Sequence, residues 1–155
     1  MYLSSIQQGI QSAHVTHSLF VKYQTPEESP ILWDWATNDK TMIVLNGGAG
    51  PDIKGAFEAI QHLNVEYDGE RLPYQCFYED ASLDGMMTSF GVVVPQCFFD
   101  AKQIKNGRDE EDFAYYYDEQ LETAENGAFT NRIVYYPNTA EHFFIGILKS
   151  CGLAR

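Results

Sequence analysis

The uninterrupted run Thr41-Met42-Ile43-Val44-Leu45, set between Asp39-Lys40 and Asn46-Gly47-Gly48, restricts this chain more than any other feature. A strand wetted on one face alternates apolar with polar residues, whereas an unbroken run is what a strand covered on both faces requires. Gly47-Gly48-Ala49-Gly50 then turns the chain, and Pro51 suits the first position of a helix. Ile53, Ala56, Phe57, Ile60 and Leu63 follow at helical spacing. Strand, turn and helix in that order predict a mixed or parallel sheet covered by helices.

The flanking segments read in the same way. Ser4 and Ser5, each followed three residues later by Gln, offer a capping box in two registers. The helix so opened carries Ile6, Ile10, Ala13 and His17 as its expected buried stripe, widened by Val15, Leu19 and Phe20. It should end near residue 23, before Thr25-Pro26. A short second helix is expected from residue 26 to about 37, with Trp33 and Trp35 pointing different ways. Residues 74–78 and 88–94 read as strands, joined by the acidic turn Glu79-Asp80-Ala81-Ser82-Leu83-Asp84-Gly85. Residues 97–104 read as a short helix. Residues 138–151 read as a terminal helix that buries Phe143, Phe144, Ile147 and Leu148 and is capped by Gly152. The fold expected is α/β: a mixed, mostly parallel four-stranded sheet with helices on both faces, plus an aromatic-rich C-terminal extension. A length of 155 residues fits one domain over 1–155, with a core at 1–95 and an extension at 96–155 packed on it.

Charge narrows the partners. The net charge is −12, from 22 Asp and Glu against 10 Lys and Arg. The basic residues are scattered, and Lys102, Lys105 and Arg108 lead straight into Asp109-Glu110-Glu111-Asp112, which offsets them. Such a surface repels phosphate backbones, so nucleic-acid binding is not expected. No stretch approaches the ~18 apolar residues that a membrane span needs. Met1-Tyr2-Leu3-Ser4-Ser5 has neither a basic n-region nor an apolar h-region, so a cytoplasmic location is expected. Cys76, Cys97 and Cys151 are odd in number and widely spaced, which fits buried thiols in a reducing compartment rather than disulfides or a zinc site. No metal and no cofactor is implied.

Three segments resemble the type 2 peptidyl-tRNA hydrolases. Gly9-Ile10-Gln11-Ser12-Ala13-His14-Val15 is similar to the A-A-Q-x-x-H-A half of that family's first-helix motif and keeps Gln11 and His14. Lys40-Thr41-Met42-Ile43-Val44-Leu45 resembles its next strand, which begins with Lys. Asp80-Ala81 keeps two positions of its D-A-G-R-T segment, and Thr88-Ser89-Phe90-Gly91-Val92-Val93-Val94-Pro95 resembles the strand that follows. The arrangement also looks like proteins of this fold from large bacteriophages, in which an I-Q-x-G-I-Q-x-A-H signature recurs. The chain departs from the family at Gln7, where the family has Lys, and at Ser82-Leu83, where it has Arg-Thr; the loop there is shorter.

The resemblance implies a site lined by Gln7, Gln11, His14, Asp80 and Thr88. Asp80 would orient a water or accept a proton, and His14 would act as acid, base or contact. The structural alternatives are an Asp that caps a turn and a His bonded to a backbone carbonyl. His14-Val15-Thr16 also matches one H-x-T unit of the two-histidine phosphoesterases, but it lies on a helix and has no second unit. Gly47 and Gly48, before a helix start, are the place for a phosphate if one binds, although Asp52 sets a negative charge on the same helix end. Phe113, Tyr115, Tyr116, Tyr117, Phe129, Tyr135 and Tyr136 concentrate aromatic surface suited to packing or to a homo-dimer or higher oligomer. With the family's Lys and Arg missing, binding of a small nucleotide-type ligand ranks ahead of peptidyl-tRNA ester hydrolysis. A phage-type protein could use such binding to blunt a host defence. An acidic interaction protein for a basic host partner is the third alternative.

Overall fold

The computed structural model describes residues 4–48, 50–66, 71–81, 84–105, 113–123, 127–135 and 139–153. Helix α1 (Ser5–Lys22) begins with a closed capping box: Gln7 N–H donates to Ser4 Oγ, and Gln7 Oε1 accepts from Ser4 N–H at 2.9 Å. Two orphan donors of the first turn are thereby satisfied. After α1 the chain turns at residues 24–28, where Glu28 accepts from the backbone N–H groups of Gln24 and Thr25. Helix α2 (Pro30–Asp34) runs on into a π-type turn, Trp35–Asp39, which stops at Lys40 with a left-handed φ of 54°. The two indoles do diverge, Trp33 donating to the Tyr23 carbonyl and Trp35 to the Thr41 carbonyl.

The apolar run that follows is not a buried strand. Only Leu45–Asn46 forms strand β1, and it pairs antiparallel with a two-residue strand at Gly152–Leu153. Met42 and Ile43 face solvent. A run of β-formers becomes a strand only where a neighbour takes up its N–H and C=O groups, and residues 41–44 have no such neighbour in the sheets described.

Helix α3 (Gly50–Glu66) follows its expected stripe and buries Ala56, Ala59, Ile60 and Leu63. At its C-terminal end Asn64 clamps the return of the chain. Its Nδ2 donates to the carbonyls of Ile60 and Leu72, and its Oδ1 accepts from Leu72 N–H at 2.7 Å. Leu72 enters the core at this point. Strands β2 (Tyr74–Tyr78) and β3 (Met87–Val92) then form an antiparallel hairpin. Their side chains alternate between two faces. Tyr74 and Phe90 meet Phe57 of α3 on one face, while Gly91 lies against Val15 and Leu19 of α1 on the other.

Helix α4 (Gln96–Asp100) is shorter than the expected helix, because Lys102–Lys105 is already strand β4. Strands β5 (Phe113–Thr123) and β6 (Gly127–Tyr135) pair with it in the order β4-β5-β6, every pairing antiparallel. Strands β5 and β6 are thus antiparallel neighbours, and the expected role of the aromatic side chains in this extension lies outside the described residues. Helix α5 (Thr139–Ser150) packs on α3 and is followed by β7 (Gly152–Leu153). Lys149 ties α5 to α4, its Nζ donating to the Phe99 carbonyl.

The main core gathers Ala59, Ile60, Leu63, Leu72, Phe98, Ala101, Phe144 and Ile145. Full burial of each large member contributes about 1.5–3 kcal/mol. Residues from before and after position 95 share this core. Phe143, expected inside, is 61% exposed, and Ile145 takes its place.

The expected four-stranded, mostly parallel sheet is therefore corrected. The described strands form two two-stranded sheets and one three-stranded sheet, all antiparallel. The reason is local. The link between β2 and β3 spans only residues 79–86, whereas a parallel return needs a crossover of about a dozen residues or more. A tight reversal with φ of 58° at both Asp84 and Gly85 makes an antiparallel pair instead. Among the described residues no helix is long and apolar enough to cross a membrane.

Candidate functional site at the α1–β2 groove

Helix α1 runs antiparallel to β2, and three contacts fix its course. Gln11 meets Glu79, His14 meets Phe77, and Lys22 Nζ donates to the Tyr74 carbonyl. Eleven helical steps and five extended steps both span about 16 Å, so helix and strand stay in register along the groove. Gln11 and His14 stand one turn apart on the helix, and their contacts show Phe77 and Glu79 on the α1 side of the hairpin, on either side of a register shift between Phe77 and Tyr78. Two rungs therefore face each other across the groove.

The lower rung is a polar cluster. Gln11 Nε2 donates to Glu79 Oε1 at 2.5 Å, and Thr88 Oγ1 donates to the same oxygen at 3.1 Å. A register shift between Phe77 and Tyr78 re-aims the end of β2, and Glu79 N–H still donates to the Met86 carbonyl. Glu79 is thus held by its backbone while its carboxylate bridges helix and hairpin. Gln11 Oε1, on the other arm of the amide, is buried and has no donor among the described residues. A buried carbonyl oxygen without a donor costs about 1–3 kcal/mol. Ser89 Oγ, on the strand position facing Phe77, is also buried without a partner among the described residues.

The upper rung is a ring stack. The His14 imidazole lies on the Phe77 ring at 4.5 Å between centroids, with 6° between planes. His14 is exposed, so its ring presents an open edge and flank to solvent above the polar cluster.

The expected site residues are brought together only in part. Gln11 and Thr88 converge on one carboxylate oxygen, with His14 a turn above. Gln7 is exposed one turn below Gln11, where its Oε1 serves the capping box. Asp80 is exposed on the turn beyond Glu79, and its carbonyl accepts from Gly85 N–H. Gly47 and Gly48 stand elsewhere, at the start of α3, the helix on the other hairpin face. There the Asp52 carboxylate already lies over Gly48, and Gly48 N–H donates to Asn46 Oδ1. Two residues were missed, Phe77 and Glu79. Sequence periodicity alone does not find them, because Glu79 lies beyond the end of β2 and past the register shift between Phe77 and Tyr78.

Among the described residues no group of three or more His, Cys, Asp or Glu comes together to hold a metal ion. The three cysteines are free and half-buried rather than fully buried. No family model, no curated protein and no solved structure matches this chain.

Proposed function

We propose that the α1–β2 groove binds a small ligand carrying the amino-bearing edge of a nucleobase. The observation that carries this reading is the buried Gln11 Oε1, an acceptor without a donor, set beside the Glu79 carboxylate. An amino or imino edge supplies N–H donors, which both oxygens can accept. The flat His14–Phe77 stack above the rung offers a surface on which a base can lie. The acidic surface disfavours polyanions, which supports a nucleoside or mononucleotide rather than a nucleic acid.

Calorimetric titration with guanosine, adenosine, cytidine and uridine tests this reading. Guanosine, whose adjacent N1–H and exocyclic amine offer donors to both oxygens, should bind most tightly, adenosine and cytidine, each with one exocyclic amine, more weakly, and uridine not at all, because its single N3–H is flanked by two carbonyl oxygens that face Gln11 and Glu79. Loss of binding in Gln11→Met is the expected companion result. Binding of none of the four, or binding indifferent to Gln11→Met, would overturn the proposal.

A further inference from the structure

The face of α1 turned away from the hairpin carries a second apolar stripe. At 3.6 residues per turn, Ile6, Ile10, Ala13, His17 and Val21 fall within a sector of about 80°, opposite the buried Val15 and Leu19. Ile6 is 77% exposed, Val21 57% and Ile10 49%; Ala13 and His17 are exposed as well. One exposed apolar side chain is ordinary on any protein, but four in line with His17 along four helical turns form a patch. The expectation that this stripe packs inward is therefore reversed: α1 is apolar on two faces, and the hairpin covers the other one.

Charge and shape both point to what covers it. The 18 residues of α1 include no Asp or Glu and only one basic residue, Lys22, in a chain with 22 acidic residues and a net charge of −12. Two copies of such a chain repel each other across most approaches, and least where a face has no carboxylate. A basic partner has the opposite preference, since this face offers it nothing to pair with. The stripe is also palindromic in bulk. Ile6 and Ile10 stand at one end and His17 and Val21 at the other, with Ala13 between them. Gly9 beside Ala13 has no atom within 4 Å of where its Cβ would stand. Laid antiparallel across a two-fold axis just beyond Ala13, between positions 13 and 14, two such helices set Ile6 against Val21 and Ile10 against His17. Ala13 then meets its own copy, and the small residues at the crossing allow close approach.

We propose that this face of α1 is the contact of a homodimer, formed by antiparallel packing of α1 on α1 of a second copy about Ala13. One helix pair covers less than the ~800 Å² per partner of a standard interface, so the association belongs among the weak, concentration-dependent ones.

Sedimentation equilibrium over a concentration series tests it with the full chain. The wild type should be a dimer that tightens as NaCl rises from about 0.05 to about 0.5 M, because salt screens the mutual repulsion and leaves the apolar contact. Ile10→Asp and Ala13→Glu, each checked for an unchanged far-UV circular dichroism spectrum, should weaken association about a hundredfold or more by placing carboxylates in the seam. Phe143→Asp, at an exposed apolar position on α5, should leave it unaltered. A wild type that stays monomeric at the highest concentration reached overturns the proposal. So does a dimer indifferent to both α1 substitutions, or a different protein seated on this face in place of the second copy.

Discussion

A Cβ placed on Gly91 would stand 2.5 Å from Val15 Cγ1. Glycine at this strand position is what lets α1 lie close against the hairpin, with Val15 filling the space that any side chain would take. Gly91→Ala should therefore destabilise the protein by about 1–3 kcal/mol through overpacking. Val15→Ala removes the clash from the other side, so the double variant should lose less than the sum of the two single losses. Urea unfolding of the four proteins measures the coupling. Strict additivity would show that α1 does not sit where Gly91 places it.

Asn64 replaces backbone hydrogen bonds where α3 ends. Its amide supplies a donor to two carbonyls and an acceptor to Leu72 N–H. Asn64→Ala removes the side-chain partner of Leu72 N–H and C=O and the extra donor to the Ile60 carbonyl, and should cost about 1–3 kcal/mol. Asn64→Asp keeps the acceptor but sets a carboxylate against the Ile60 and Leu72 carbonyls, so it should cost at least as much at neutral pH. Thermal unfolding of the two variants decides the order.

Much of this local structure could be read from the sequence. Ser4 with Gln7 marked the start of α1, the residues from Ile53 to Leu63 marked α3, and residues 74–78 marked β2. Each of these signals acts over one or two turns, or along one strand. What failed depended on partners. The run at 41–45 carries strand propensity, but propensity does not supply a neighbour, and only Leu45–Asn46 finds one. The periodicity of α1 showed apolar stripes without showing which of them the hairpin would cover. The site was half legible: Gln11 and Thr88 meet on Glu79, with His14 a turn above on Phe77, and the place of Glu79 depends on a strand irregularity between Phe77 and Tyr78 that sequence periodicity does not reveal.

Gly48 has a φ of +81°, and a Cβ there would stand 2.6 Å from Asp52 Oδ2. Gly48→Ala should cost about 1–2 kcal/mol from the left-handed conformation alone, and Asp52→Ala should relieve only the added clash. Because the Asp52 carboxylate occupies the space over this turn, phosphate should gain no foothold at Gly47 and Gly48. Inorganic phosphate should raise the melting temperature no more than chloride does at equal ionic strength. A phosphate-specific rise that is absent in Gly48→Ala would contradict this.

Burial pushes the Cys97 thiol above its ordinary value; the backbone N–H groups of Phe98 and Cys97 oppose the shift, and the carboxylates of Glu141 and Asp100 add to it. The unfolded chain then loses this proton first as pH rises. The stabilisation is complete below the unfolded thiol's pKa and declines as pH climbs from there towards the folded value. Stability of the wild type should accordingly fall more steeply than that of Cys97→Ser on the alkaline side of pH 8.5 or so. Parallel curves from denaturant unfolding at a series of pH values would refute the assignment.

The Gln11–Glu79–Thr88 cluster separates what binding needs from what folding needs. Gln11→Met removes an oxygen that is buried without a donor, together with one hydrogen bond to Glu79, so the two effects should nearly offset and stability should change by less than about 1 kcal/mol. Ligand affinity should nevertheless be lost. Glu79→Ala differs, because it leaves Gln11 Nε2 and Thr88 Oγ1 without their shared acceptor, and it should cost about 1–3 kcal/mol as well as binding. His14→Ala deletes an exposed stacking partner of Phe77, so its stability loss should be no more than about 1.5 kcal/mol. Its effect on affinity should fall on nucleosides with large stacking faces, the purines, more than on cytidine. Calorimetric binding and urea unfolding, run on all three variants, give each a distinct pair of outcomes. If Gln11→Met proves as unstable as Glu79→Ala while binding persists, the cluster is a structural clamp and the groove is not the ligand site.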